Sequence, residues 1–160
     1  ADFFRSMEDA SAMDLDWFWR GWFYTTDVTD IGVKEVKKFY TTTNEDDSVN
    51  FTEDTSNGLG FTKKQSKYHY EITYNKPGGL VMPIIVEFTY KDGTKEKKTY
   101  PAQIWRYNDK EVTKVFSSSK EVQNITIDPD LENADVDTSN NSWPKKTTTK
   151  FDKFKNKVKG

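Results

Sequence analysis

Between residues 14 and 24 the apolar positions recur at helical spacing. Leu15, Phe18, Trp19, Trp22 and Phe23 fall at i, i+3, i+4, i+7 and i+8 and form one continuous face. Trp17 and Tyr24, seven apart, lie on a different face. A helix with large aromatics on two faces calls for burial on two sides. Asp14 is placed to cap it, and Gly21 weakens it locally while allowing another backbone to approach. Upstream, Phe3, Phe4 and Met7 predict a short helix over residues 2–10, broken by Ser11 to Asp14.

After residue 27 the period changes. Residues 31–40 set Val33, Val36 and Phe39 among Lys and Glu, a pattern open to helix or strand. Residues 41–65 are polar and read as a long loop, with a short strand around Val49 to Thr52. From Lys67 the alternation is that of half-buried strands. Tyr68, Tyr70, Ile72 and Tyr74 share one face, and Val86, Phe88 and Tyr90 another. Lys76-Pro77-Gly78-Gly79 predicts a turn and Asp92-Gly93 a hairpin. Strands are predicted over Leu80–Tyr90, with Pro83 as a bulge or edge, and over Thr94–Tyr100. Further strands follow around Ile104, Trp105 and Tyr107, over Val112–Phe116 and over Val122–Ile127, stopped by Asp128-Pro129-Asp130. Short strands separated by regular turn signals predict a mainly β fold. The expected architecture is an Ig-like or fibronectin-like antiparallel sandwich behind an N-terminal helix pair.

At 160 residues the chain fits one ordinary domain with a small appendage, able to bury roughly 70% of its unfolded surface. It has no Cys, which excludes disulfides and thiolate metal sites. A net charge of −2 gives no bulk argument for nucleic acid. The distribution is uneven. Asp2, Glu8, Asp9, Asp14 and Asp16 outnumber Arg5 and Arg20 at one end, and a Lys-rich tail closes the other. No apolar run is long enough to span a bilayer as a helix. The chain starts inside a predicted helix without Met, as a piece of a longer polypeptide would.

Candidate chemistry is sparse. His69 is the only histidine and sits in an alternating strand, so a two-His zinc site is excluded and a sheet-face role expected. No Gly-x-Ser-x-Gly elbow occurs. Asp135 to Asn141 has oxygen ligands at alternate positions but lacks the Gly and Glu of a calcium loop, and reads as a hydrogen-bonded turn. Trp105 and Trp143 could form a sugar-binding platform or pack in the core, with Trp143 the better placed for exposure.

Met7, Glu8, Asp9, Ala10 and Ser11, followed by Asp14, Leu15, Phe18 and Trp22, resemble the end of the catalytic domain in zinc aminopeptidases of the aminopeptidase N type. Gly79-Leu80-Val81-Met82-Pro83 with Ile84 to Phe88 is similar to the β-region of large bacterial members. The resemblance implies that residues 1–27 are the helical tail of a truncated catalytic domain. Residues 28–144 are then the β-sandwich domain, with a strand at 31–40, and 145–160 a basic C-terminal tail. It implies no catalytic or metal residue in this chain, because His-Glu-x-x-His is absent. Zinc would belong to a parent domain N-terminal to Ala1, as would the peptide substrate. The implied partner is that missing domain. Phe3, Phe4, Trp17, Phe18, Trp19, Trp22, Phe23 and Tyr24 would form the interdomain packing. The cell envelope and the cytoplasm both stay open. A carbohydrate- or protein-binding Ig-like module at the cell surface is the alternative.

Overall fold

The computed structural model describes residues 2–43, 49–53 and 65–145. Two helices, α1 (Asp2–Ser11) and α2 (Asp16–Tyr24), precede eight strands. These are β1 (Gly32–Thr43), β2 (Val49–Glu53), β3 (Gln65–Asn75), β4 (Ile84–Tyr90), β5 (Lys95–Tyr100), β6 (Glu111–Ser118), β7 (Val122–Ile127) and β8 (Ser142–Trp143). They form two four-stranded sheets, ordered β2-β1-β3-β6 and β5-β4-β7-β8, with antiparallel pairing between all neighbours. The fold is therefore a mainly β sandwich behind a helix pair.

Alternation in sequence becomes alternation in burial. Tyr70, Ile72 and Tyr74 of β3 and Ile84, Val86 and Phe88 of β4 are fully enclosed between the sheets. Phe88 of one sheet stacks on Phe116 of the other, ring centres 3.8 Å apart and planes within 3°. The Val122 N–H of β7 donates to the Tyr70 hydroxyl at 2.8 Å, a polar tie across the core. At the β4–β5 hairpin Gly93 takes φ +82°, a conformation glycine reaches without steric cost, and Asp92 accepts from the Thr94 N–H at 2.9 Å.

Four local expectations are corrected. Residues 102–106 form a 3₁₀ helix (Ala102–Arg106), not a strand around Ile104, Trp105 and Tyr107. Pro101 fixes φ at −66° and offers no N–H to a ladder, while its carbonyl accepts from the Ile104 N–H at 3.0 Å. Ala102 and Trp105, three apart, are the buried pair, so the true period is three. Residues 80–83 stay outside β4, and Pro83 is neither a bulge nor an edge. β4 runs between β5 and β7, and proline precedes it because an interior strand has no place for a missing donor. Trp143 is half-buried against the core rather than exposed, because β8 pairs it with Ile125. Leu15, not Asp14, occupies the N-cap of α2; Asp14 instead accepts from the Asp16 N–H at 3.1 Å.

β1 reaches Thr43, so part of the expected 41–65 loop is strand, and β2 lies where the short strand is predicted. The remainder of that loop, at 44–48 and 54–64, lies outside the described residues, as do 146–160 of the basic tail.

Candidate functional site

The helix pair joins the sandwich through a short, specific seam. The Val28 N–H donates to the Gly78 carbonyl at 3.0 Å, the Leu80 N–H donates to the Val28 carbonyl at 3.3 Å, and Val28 bridges Gly79 in parallel register. Gly79 adopts φ +89°, and a Cβ there would stand 2.8 Å from the Asp27 carboxyl carbon. Leu80 reaches the helix itself, since a Cβ on Gly21 would lie 2.5 Å from its Cδ1. The close approach foreseen at Gly21 is thus made by a side chain rather than by a backbone. Lys76 is buried beneath the turn; its Nζ donates to the Gly79 carbonyl and lies 5.8 Å from the centre of the Trp105 ring. Burial lowers the Lys76 pKa below the usual lysine range, while Asp109 and Asp27 pull it upward. Trp105 in turn donates from Nε1 to the Met82 carbonyl at 2.9 Å. A buried lysine has no signature in hydrophobic periodicity, and only its place beside Pro77-Gly78-Gly79 hinted at a structural role.

Within the arm, Trp19 is the hub. Its ring lies 4.7 Å from Phe4, 5.1 Å from Phe18, 5.8 Å from Phe23 and 6.0 Å from Phe3. Phe4 also meets Phe23 at 5.3 Å, Phe18 meets Trp22 at 5.8 Å, and Trp17 meets Phe18 at 5.8 Å edge-on. Only Trp19 of these residues is buried, and its indole N–H has no partner among the described residues. Phe4, Trp17 and Phe18 are half-buried. Trp22, Phe23, Phe3 and Tyr24 remain 45%, 59%, 63% and 74% exposed. The continuous helical face read from spacing is thus covered unevenly within this chain: Trp19 is enclosed, and Trp22 and Phe23 are open. Met7, read from sequence as part of the first helix, is exposed as well, as are Met13 and Val28, which were not singled out.

The arm's charges stand apart from those of the sandwich. In the sandwich, Lys37 pairs with Glu71, Lys38 and Lys91 with Glu121, Lys95 with Glu87, Lys97 with Asp130 and Glu132, and Lys120 with Asp92. The Lys120 contact and two bonds from Thr94 hold the Asp92 pKa at about 2. Among the described residues, Asp2, Arg5, Glu8, Asp9, Asp14, Asp16 and Arg20 form no ion pair. Glu8, Asp14 and Asp16 bring carboxylate oxygens within 4.8 Å of one another. Glu8 also accepts from the Leu15 N–H at 3.2 Å, so one of its oxygens closes the turn between the helices.

The other sequence candidates have structural explanations. His69 Nδ1 lies 2.7 Å from Ser117 Oγ across the β3–β6 ladder, a hydrogen bond on the sheet face. Asp135 accepts from the N–H groups of Ile31 and Asp137 and from the Asn141 amide, and Asp137 accepts from Ser139. These bonds make the segment a hydrogen-bonded turn. Trp105 is 3% exposed, so it and Trp143 form no open platform. No helix among the described residues is long and apolar enough to cross a membrane. No family model, no curated protein and no solved structure matches this chain.

Proposed function

We propose that this chain is the non-catalytic C-terminal part of a zinc-dependent metallopeptidase of aminopeptidase type. In this reading residues 1–27 complete the peptidase domain. The sandwich buttresses that domain and helps shape access to its active site. Zinc-activated water and a glutamate base would act in the parent domain, upstream of Ala1.

One observation supports the docking role most directly. Of the eleven exposed large hydrophobic side chains among the described residues, seven (Phe3, Met7, Met13, Trp22, Phe23, Tyr24 and Val28) lie in the first 28 positions. Exposed apolar side chains concentrated in one segment of an otherwise well-packed domain are the raw material of an interaction surface. The resemblance of Met7 to Trp22 supplies the identity of the partner. The seam at Val28, Gly79 and Leu80 fits the arm for transmitting orientation from sandwich to partner, because it is built of backbone hydrogen bonds and close packing.

The test is an assay of the natural polypeptide, with everything encoded upstream of Ala1, against amino-acid p-nitroanilides with and without a zinc chelator. Chelator-sensitive release of p-nitroaniline by the whole protein, absent from the 160-residue chain, is the expected result. A whole protein that folds yet lacks both His-Glu-x-x-His and zinc-dependent hydrolysis overturns the assignment.

A further inference from the structure

A groove of about 290 Å³ opens between α2 and the 3₁₀ helix. The α2 side contributes Asp14, Asp16 and Trp17, the 3₁₀ helix contributes Ala102, Gln103, Trp105 and Arg106, and Val81 completes the lining. The lining thus combines apolar side chains with carboxylates from one side and a guanidinium from the other element. Asp14, Asp16 and Arg106 are exposed and form no ion pair among the described residues. This contrasts with the sandwich lysines, which are so often matched. The Trp17 N–H is already donated to the Asp14 carbonyl at 3.1 Å, so the indole offers an incoming group its ring rather than its donor.

We propose that this groove receives a dipolar peptide segment of the docked partner: an Arg or Lys facing Asp14 and Asp16, an apolar side chain over Val81, and a carboxylate facing Arg106. The cation has a definite side. On the α2 side it meets two carboxylates, reinforced by Glu8 of the same cluster, and the face of Trp17. On the 3₁₀ helix Arg106 repels it. The size agrees, lying at the small end of ligand pockets, which run from roughly 300 Å³ upward, and suiting a few side chains rather than a large cofactor. The inference rests on the reading of the arm as a docking element, but not on the partner's being a peptidase.

The experiment is a titration of the isotope-labelled 160-residue chain with the capped peptide acetyl-Arg-Leu-Glu-amide, followed by NMR at the Trp17 indole and Asp16 amide. The same peptide with Gln in place of Arg is the comparison. Expected are saturable shifts with the Arg peptide and binding about fivefold weaker with the Gln peptide. The Asp14→Asn/Asp16→Asn variant should lose a similar factor. No shift at the Trp17 indole, or equal binding of the two peptides to the unmodified chain, overturns the proposal, and that comparison needs no variant to fold. A positive titration with an inactive parent sinks the peptidase assignment alone. A negative titration with an active parent sinks the groove alone.

Discussion

Tyr70 and Tyr74 occupy the same inner face of β3, both with no exposed surface, yet their hydroxyls differ. Tyr70 accepts the Val122 N–H at 2.8 Å, whereas the Tyr74 hydroxyl is buried without a partner among the described residues. Removing an acceptor strands its donor; removing an unsatisfied group strands nothing. Tyr70→Phe should therefore cost about 1–3 kcal/mol, while Tyr74→Phe should be neutral or mildly stabilising, by equilibrium urea unfolding. The same burial sets an alkaline limit. It pushes the Tyr70 pKa from 10.0 up to about 12, the Val122 bond offsetting it in part, and it also raises those of Tyr74 and Tyr100. A raised folded-state pKa means that the native state holds its proton more tightly. That contribution to stability is complete below pH 10 and is lost as pH climbs toward about 12. Denaturation midpoints should fall across that window, and by less in Tyr74→Phe. A flat profile there would show that these phenols titrate normally.

How elements join is testable at two glycines. Gly79 and Gly93 have nearly the same backbone conformation, φ +89° and +82°. Among the described residues a Cβ at Gly93 would meet nothing within 4 Å, whereas at Gly79 it would meet the Asp27 carboxyl group at 2.8–3.0 Å. Gly93→Ala should cost only the left-handed backbone penalty, about 1–2 kcal/mol. Gly79→Ala should cost visibly more and should loosen the helix pair from the sandwich, seen as faster amide exchange at Val28 and Leu80. Equal losses at the two sites would mean that Asp27 yields freely. Local punctuation made much of this layer legible beforehand. Asp92-Gly93 announced its hairpin, the alternating tyrosines announced β3, and Asp128-Pro129 ended β7 where expected. The 3₁₀ helix escaped because Ile104 and Trp105 have strand-like side chains. The deciding facts were Pro101 and a burial period of three, and the latter exists only once the core is assembled. Trp143 escaped for a related reason. Its loop context suggested exposure, but a two-residue pairing with β7, invisible to any window of local sequence, holds it against the core.

At the scale of the whole molecule, the exposed aromatic surface was legible as composition but not as geometry. The density of aromatics at 17–24 marked the arm, yet which rings would be spent internally depended on Phe3 and Phe4 folding back onto Trp19. What that packing leaves open is Trp22, Phe23, Tyr24 and Phe3. The isolated chain has little net charge to keep copies apart, at −2. Two arms that meet bring together open aromatic faces, which attract, and local charge, which repels. Each helix pair, residues 2–24, carries five carboxylates (Asp2, Glu8, Asp9, Asp14 and Asp16) against two guanidinium groups, Arg5 and Arg20. Salt screens the exposed charges and leaves apolar burial in place. The chain should therefore self-associate with concentration, and more strongly at high ionic strength, the reverse of an association driven by ion pairs. Trp22→Ser/Phe23→Ser should abolish that association. Because Trp22 packs on Phe18, and Phe23 on Phe4 and Trp19, while both stay partly open, it should also cost the monomer about 1–3 kcal/mol of unfolding free energy. Sedimentation velocity across concentration and salt reads the first effect, and urea unfolding the second. A strict monomer at high concentration in high salt would mean that the exposed rings are too few or too scattered to form a face. The arm would then be a tail rather than a seam.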